Sequence, residues 1–401
     1  MTQQPIRICI LGGGFGGLYT ALRLSQMPWT SQNRPEIVLV DKSDRFLFLP
    51  LLYELISDEL QTWEIAPQFQ DLLAGSGVQF CQSKVVEINS EEKVVHLQGG
   101  STLTYDYLVV SFGGETPTEI VPGASEVTYQ FRSITDAYRL KDRLQTLKNS
   151  GSEKIRVAIV GAGYTGVELA CKIADVLGEA GRVRLIDMSD RILAQATEYN
   201  REAAQKALEA RGVWVDLETT VSDLKSDSLD LTYKGTTDTI PVDMIVWTVG
   251  MKVAEVIQAL PFKKNPRGQV YVTPTLQVID HPEIFALGDA ADCKDAEGQQ
   301  VPTTAQVALQ QADYAGWNLW AVIADKPLLP FRYTHLGEMM TLGTDTATIT
   351  AMGITLNGAP ASVIRKLLYL YRMPTLEHQL RVGLNWAVKP LYSLLSALER
   401  L

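Results

Sequence analysis

The apolar positions of this chain fall into two matching patterns. A short apolar run, Arg7-Ile8-Cys9-Ile10-Leu11, leads into Gly12-Gly13-Gly14-Phe15-Gly16-Gly17. Helical spacing through Leu18, Ala21, Leu22 and Leu24 follows, then the run Ile37-Val38-Leu39-Val40 closing on Asp41. The same order returns later. Ile155 to Val160 leads into Gly161-Ala162-Gly163-Tyr164-Thr165-Gly166, then a helical pattern through Val167, Leu169 and Ala170, then Val183-Arg184-Leu185-Ile186-Asp187. Each half reads strand, glycine turn, helix, strand, acid, which predicts a βαβ unit of a parallel sheet. The runs Tyr107–Ser111, Met244–Thr248 and Ile284–Leu287 are expected as further buried strands, each ending near glycine. Asn149-Ser150-Gly151-Ser152 is a polar break at the entrance to the second unit. After about residue 330, glycines punctuate short β-like runs, and two amphipathic helical patterns close the chain.

The spacing G-x-G-x-x-G has a physical reason. The first glycine makes the tight turn, the second lets a pyrophosphate approach the backbone, and the third lets the helix pack against the strand. These roles fall to Gly12, Gly14 and Gly17, and again to Gly161, Gly163 and Gly166. Phosphates would meet the N–H groups at each helix N-terminus. Asp41 and Asp187 are placed to accept hydrogen bonds from adenosine ribose hydroxyls. A carboxylate at Asp187 repels a 2′-phosphate and favours NADH, although Arg184 and Arg191 lie close enough in sequence to compensate. One such loop is weak evidence. Two, each in a strand–helix context with a following acid, point to two dinucleotides.

Charge narrows the partners. The net charge is −10, which disfavours a nucleic-acid partner. Residues 361–401 hold six basic and two acidic residues, a net +4 against −14 for the rest. A basic tail on an acidic body suggests an anionic surface. Cys9, Cys81, Cys171 and Cys293 are scattered, without a CxxC pair, and the four histidines have no metal-ligand spacing. No metal is expected. Strand-like residues begin at Arg7, leaving no room for a transit peptide, and no apolar run reaches 18 residues.

Further segments carry a family resemblance. Leu11 to Gly17, including Phe15 and Gly16, matches an FAD loop, and Phe46-Leu47-Phe48-Leu49-Pro50-Leu51-Leu52 resembles an "F-x-P-L-L" segment near the flavin. Tyr107 to Gly114, with Gly113, and Val242 to Gly250 match the strand-to-glycine stretches that close the two domains. Ile284 to Asp289, with Gly288, resembles a second FAD motif whose Asp contacts the ribityl–pyrophosphate part. Gly163 to Ala170 contains Glu168, and Ala305-Gln306-Val307-Ala308-Leu309-Gln310-Gln311 resembles an "A-Q-x-A-x-Q" signature. Over essentially its whole length the chain resembles the type II NADH dehydrogenases, in the glutathione-reductase-like flavoproteins with two dinucleotide-binding domains. Gln61 to Pro67 and Leu367 to Arg372 are most similar to the cyanobacterial and plastid branch that includes demethylphylloquinone reductase.

The resemblance implies an α/β fold of two Rossmann-like domains. It places FAD on residues 1–120 and 265–330, NAD(P)H on 121–264, and a C-terminal β/helical membrane-surface segment on 331–401. It implies a ping-pong NAD(P)H:quinone oxidoreductase that pumps no protons. Glu168 would serve cofactor positioning and proton movement, and Gln306 and Gln310, four apart on one helix face, would line the quinone pocket. In the tail, Leu380, Leu384, Val388, Leu391, Leu395 and Leu398 keep helical spacing, with Pro390 expected to kink or restart the helix. Ile364 to Tyr371 has a similar stripe. Trp386 and Tyr392 suit a membrane interface, and Arg381 and Lys389 suit headgroups. The implied location is the cytoplasmic side of a plasma or thylakoid membrane. Packing of this helix on the protein itself or on a dimer partner stays open. So do a sulfide:quinone or ferredoxin-type reductase and a flavin- and NADH-binding redox sensor.

Overall fold

The computed structural model describes residues 5–31 and 33–398, with side chains described as far as Lys389. It divides into two compact units. The first holds residues 1–47, 66–115 and 251–334, and the second 48–65, 116–250 and 335–401.

The first unit is built on a six-stranded sheet. Its order is Gln277–Val278, His281–Ala286, Tyr107–Val110, Arg7–Leu11, Glu36–Asp41, Val78–Gln82, all parallel except the first, antiparallel pair. Its central strands are near-continuous apolar runs because both faces are covered. Ile8, Ile10, Leu11, Leu39, Val40, Leu108 and Val109 have no exposed surface. The helix Phe15–Ser25 packs along the helix Ala305–Ile323. Gly316 permits that approach, since a Cβ there would lie 2.6 Å from Arg23 Cγ.

The second unit repeats the plan with four parallel strands, in the order Trp214–Asp216, Gly181–Ile186, Ile155–Val160, Met244–Trp247. The helix Ile134–Asn149 starts at a capping box made by Ser133 and Asp136. A meander of Thr219–Leu224, Ser228–Tyr233 and Thr236–Pro241 adds a second layer. The C-terminal part is a three-stranded antiparallel sheet, Glu338–Thr341, Ala347–Ala351 and Ile354–Asn357, followed by helices Gly358–Arg372 and Leu376–Leu398. The last helix continues through Pro390, so the expected restart does not occur. A proline removes one i→i−4 bond, and the surrounding turns carry the helix past it. Leu391, Tyr392, Leu395 and Leu398 lie outside the residues whose side chains are described. No described helix is long and apolar enough to cross a membrane.

Candidate active site and cofactor cradles

The two glycine loops share one construction. Gly12 and Gly161 have φ of +97° and +107°, the left-handed region that excludes side chains, and each donates its N–H across the sheet at 2.8 Å, to Val40 O and Ile186 O. A Cβ on Gly17 would sit 1.8 Å from Gly12 O, and one on Gly166 would sit 1.8 Å from Gly161 O. The third glycine is therefore demanded by helix–strand contact. At Gly14 and Gly163 a Cβ would meet nothing within 4 Å. The second glycine is demanded by nothing within the protein, which leaves room for a ligand's close approach. The helices that begin there, Phe15–Ser25 and Tyr164–Leu177, have no side-chain cap and no acid in their first turn. Their first N–H groups and positive dipole ends suit a pyrophosphate. Each cradle fits the adenosine pyrophosphate that FAD and NAD(P)H share.

The two acids are anchored alike. Asp41 accepts N–H groups from Gly13 at 2.6 Å and Ser43 at 2.8 Å, and Asp187 accepts from Ala162 at 2.6 Å and Ser189 at 2.7 Å. A carboxylate offers about four lone-pair sites, so each keeps capacity for ribose hydroxyls. Burial raises the Asp41 carboxyl above its usual range, against the pull of these N–H donors. Arg184 is paired with Asp216, and Arg191 with Asp190. Arg184 is thus engaged by a part-buried acid, while the Arg191–Asp190 pair is exposed and loosely held.

Two residues that the sequence reading passed over complete the loops. Ser111 Oγ donates to Leu11 O and Gly12 O, both 2.9 Å, and Thr248 Oγ1 donates to Val160 O at 2.8 Å and Gly161 O at 3.1 Å. Their signal was visible: a hydroxyl follows the closing strand in both repeats.

At the second FAD motif, Asp289 Oδ2 accepts from Gly114 N at 2.8 Å, which ties it to the stretch containing Gly113. Gly288 adopts φ +67°. Its N–H donates to Oε1 of buried Gln311 at 2.8 Å. Gln311, beside the glutamines singled out above, therefore positions the flavin motif. Phe15 meets Phe46 edge-on with ring centroids 5.3 Å apart, and the Gly16 Cβ position is occupied by Leu287. Gly250 adopts φ +75°, with Pro117 against its Cβ position.

On the glutamine helix, Gln306 Oε1 accepts from the Tyr333 hydroxyl at 2.9 Å. Gln310 spends both ends of its amide on Thr334, donating to its carbonyl at 2.9 Å and accepting its N–H at 3.1 Å. Both amides grip the Tyr333–Thr334 strap, so Gln310 reaches an outside ligand only if that pair opens.

Glu168 sits in the second unit, on the helix Tyr164–Leu177 that opens at the second cradle. It is buried, accepts the Thr341 N–H at 2.9 Å, and is hydrogen-bonded by the Tyr53 hydroxyl. Burial pushes its carboxyl up to about 7, although Arg365, the Thr341 N–H and Tyr53 all favour the charged form. Arg365 is itself buried. It pairs with Glu54 at 2.6 Å, donates to Pro50 O at 2.7 Å and lies over the Tyr369 ring at 4.9 Å. The surroundings can hold Glu168 in either protonation state near neutrality. Burial pushes the thiols of Cys9, Cys171 and Cys293 up to about 12, which leaves them weak nucleophiles.

Comparison with known proteins places this geometry. Residues 6–312 match the family model described as pyridine nucleotide-disulphide oxidoreductase. The chain is 52% identical over 395 residues to a demethylphylloquinone reductase of Synechocystis sp., covering 98% of each chain. It is 43% identical to the alternative NAD(P)H-ubiquinone oxidoreductase C1 of Arabidopsis thaliana, covering 96% of this chain and 80% of that one. NDH2 of Plasmodium falciparum, solved in complex with NADH, has the same fold at a TM-score of 0.85 and 18% identity, covering 97% and 99% of the two chains.

Proposed function

The chain belongs to the type II NAD(P)H:quinone oxidoreductases, within the pyridine nucleotide-disulphide oxidoreductase family, and on that footing we propose that it oxidises NADH and reduces a membrane naphthoquinone of the demethylphylloquinone type. One observation carries the reading: a buried carboxyl, Glu168, held by the Thr341 N–H on the helix that opens the second cradle. Bound FAD supplies the two-electron chemistry. The protein binds, orients and manages protons. Gly14 and the helix behind it hold one pyrophosphate, with Asp41 on the ribose and Asp289 fixing the closing turn. Gly163 and Asp187 do the same for the nicotinamide cofactor, and the Asp187 carboxylate, with Arg184 held by Asp216, favours NADH over NADPH.

The balance is NADH + H⁺ + quinone giving NAD⁺ + quinol. One proton travels with the hydride equivalent and one comes from water. Glu168 takes up and releases a proton at its carboxyl with little driving force near neutral pH. Gln306 presents its amide to the quinone.

Lipid covers the outer face of the two C-terminal helices. Val363, Leu367 and Tyr371 on one, and Leu376, Leu380 and Leu384 on the other, are exposed, which is the reverse of a helix packed for water. Arg381 and Lys389, both exposed, complement anionic headgroups, whereas Arg365 and Lys366 are paired with acids inside the protein. In this reading the enzyme rests peripherally on a plasma or thylakoid membrane, on the cytoplasmic side.

The test is stopped-flow bleaching of the flavin by NADH and NADPH, then reoxidation by a panel of naphthoquinones and benzoquinones. Fast bleaching with quinone-dependent reoxidation is expected, faster with NADH than NADPH. Bleaching that no quinone reverses would refute the reading and point to a redox sensor.

A further inference from the structure

Three glutamates spaced five apart stand on one segment of the second unit: Glu54, Glu59 and Glu64. Glu54 and Glu64 are buried and the Glu59 side chain is 11% exposed. Each faces the C-terminal helices. Glu54 pairs with Arg365 at 2.6 Å, both side chains 1% exposed. The Glu59 carboxylate holds Lys366 at 3.2 Å as well as buried Lys172, and its main-chain carbonyl accepts from Lys389 at 2.6 Å. Glu64 Oε1 accepts from Trp386 Nε1 at 2.7 Å and Asn385 Nδ2 at 3.0 Å, while its Oε2 takes the Gln61 N–H at 2.5 Å. Glu64 O lies 2.9 Å from His378 Nε2, and Arg381 lies 5.0 Å from the centre of the Trp63 ring.

These contacts fall on positions 378, 381, 385, 386 and 389 of the last helix, one face of it. The opposite face carries Leu376, Leu380, Leu384 and Val388, all exposed. Trp386 thus aims its indole N–H at a buried carboxylate, and Arg381 and Lys389 have partners in the protein. The docked face also buries Val382 completely, but an apolar contact has no direction, so the hydrogen bonds set the rotation. Carboxylate acceptors in a buried place do this well. A turn of one residue, about 100°, would break both Glu64 bonds and carry the leucine stripe away from the surface.

We propose that Glu54, Glu59 and Glu64 form a polar clasp that locks the two C-terminal helices apolar side outward, which makes Glu64 a positioning residue for reduction of a membrane-dissolved quinone. This rests on the quinone reductase reading above. It assigns a role to the Gln61–Pro67 segment, which that reading leaves without one. The clasp acts through the seating of the enzyme on lipid. Flavin reduction by NADH does not depend on it.

The test uses full-length holoenzyme with two variants. Asn385→Ala/Trp386→Phe opens the Glu64 rung from the helix side without changing charge or the leucine stripe, and Glu64→Ala opens it from the other side. Each is assayed for FAD content, flavin bleaching by NADH, and turnover with a short soluble naphthoquinone. Turnover is also measured with a polyprenylated naphthoquinone in phosphatidylcholine/phosphatidylglycerol vesicles. The expected result for the double variant is an apparent KM for the vesicle quinone raised at least fivefold. Its kcat, bleaching rate and soluble-quinone turnover should stay within twofold of wild type. An unchanged KM, or an equal loss with the soluble quinone, would overturn the clasp. If Glu64→Ala loses its flavin while the double variant behaves as wild type, Glu64 is structural only and the proposal fails. Failure of wild type itself to reduce any quinone would instead refute the functional reading.

Discussion

Glu168→Gln tests the buried carboxyl directly. Gln keeps the shape and an acceptor for the Thr341 N–H, and it removes the titration. The carboxyl stands at about 7 where its ordinary value is 4.5. Between those values the folded protein holds a proton that the unfolded chain has released. The unfolded state therefore binds fewer protons, and stability falls as pH rises. The contribution is fully present below the unfolded value and is lost as pH climbs through 7. At 1.36 kcal/mol per unit, the shift corresponds to about 3 kcal/mol, most of it lost between pH 5 and pH 8. Glu168→Gln lacks this loss. Its stability relative to wild type should rise by about 2 to 3 kcal/mol over that range. Urea unfolding at pH 5, 6, 7 and 8 measures it, with midpoint and slope recorded separately. The quinone half-reaction of wild type should break near pH 7, and that of the variant should not. Tyr53→Phe removes a hydrogen bond to the carboxylate, so its break should move to higher pH. A stability difference between Glu168→Gln and wild type that stays flat from pH 5 to 8 would refute the reasoning.

The glycine loops allow a paired experiment. Gly14→Ala adds a methyl where the protein has nothing within 4 Å, so the chain should fold and lose at least tenfold in FAD occupancy, read by absorbance after gel filtration. Gly17→Ala puts a Cβ 1.8 Å from Gly12 O and should cost more than about 3 kcal/mol or prevent folding. Gln306→Ala, which removes the acceptor of the Tyr333 hydroxyl at 2.9 Å, should slow flavin reoxidation by quinone at least fivefold and leave bleaching by NADH unchanged. Leu380→Asp/Leu384→Asp replaces side chains that are 58% and 66% exposed. It should move stability by less than about 1 kcal/mol and reduce sedimentation with anionic vesicles about tenfold.

Much of the frame was legible because it rests on strong local rules. Continuous apolar runs became buried parallel strands, with ends shifted by a residue or two: Val183–Asp187 was expected and Gly181–Ile186 is observed. The glycine roles could be read because each is a steric demand on one residue. The segment Phe48–Ile65 could not be read in this way. It lies in sequence inside the first unit but belongs to the second, where it holds side chains more than 300 positions away, as Glu54 does Arg365. No periodicity encodes such a pairing. The tail was only half legible for a related reason. Helical spacing gave the stripe, but residue type alone does not tell that Trp386 donates to the buried Glu64 carboxylate and Lys389 to the Glu59 carbonyl.

The duplication also isolates where the two halves part. The φ values of the first glycines, +97° and +107°, lie close together, and the acid's two N–H donors, the hydroxyl clamp and the strand-to-loop bond recur within a few tenths of an ångström. Such identity means the loops recognise only what the two ligands share, an adenosine and a pyrophosphate. The difference must lie further along the helix. Five residues after the second glycine the first unit has Tyr19, stacked on Phe15 with centroids 6.2 Å apart, and the second has Glu168, buried against Thr341 and Tyr53. An aromatic pair adds rigid surface and no carboxyl. A buried carboxyl near neutrality is costly in one protonation state or the other, and it persists where a proton must be exchanged. Exchanging the two residues is therefore asymmetric. Tyr19→Glu should cost stability and flavin affinity together, because it removes the ring stacked on Phe15 and set edge-on to Phe46. Glu168→Tyr should leave NADH affinity within threefold while abolishing the pH 7 break. Loss of NADH affinity beyond tenfold in Glu168→Tyr would mean that the carboxyl recognises the cofactor, and its place in proton exchange would have to be given up.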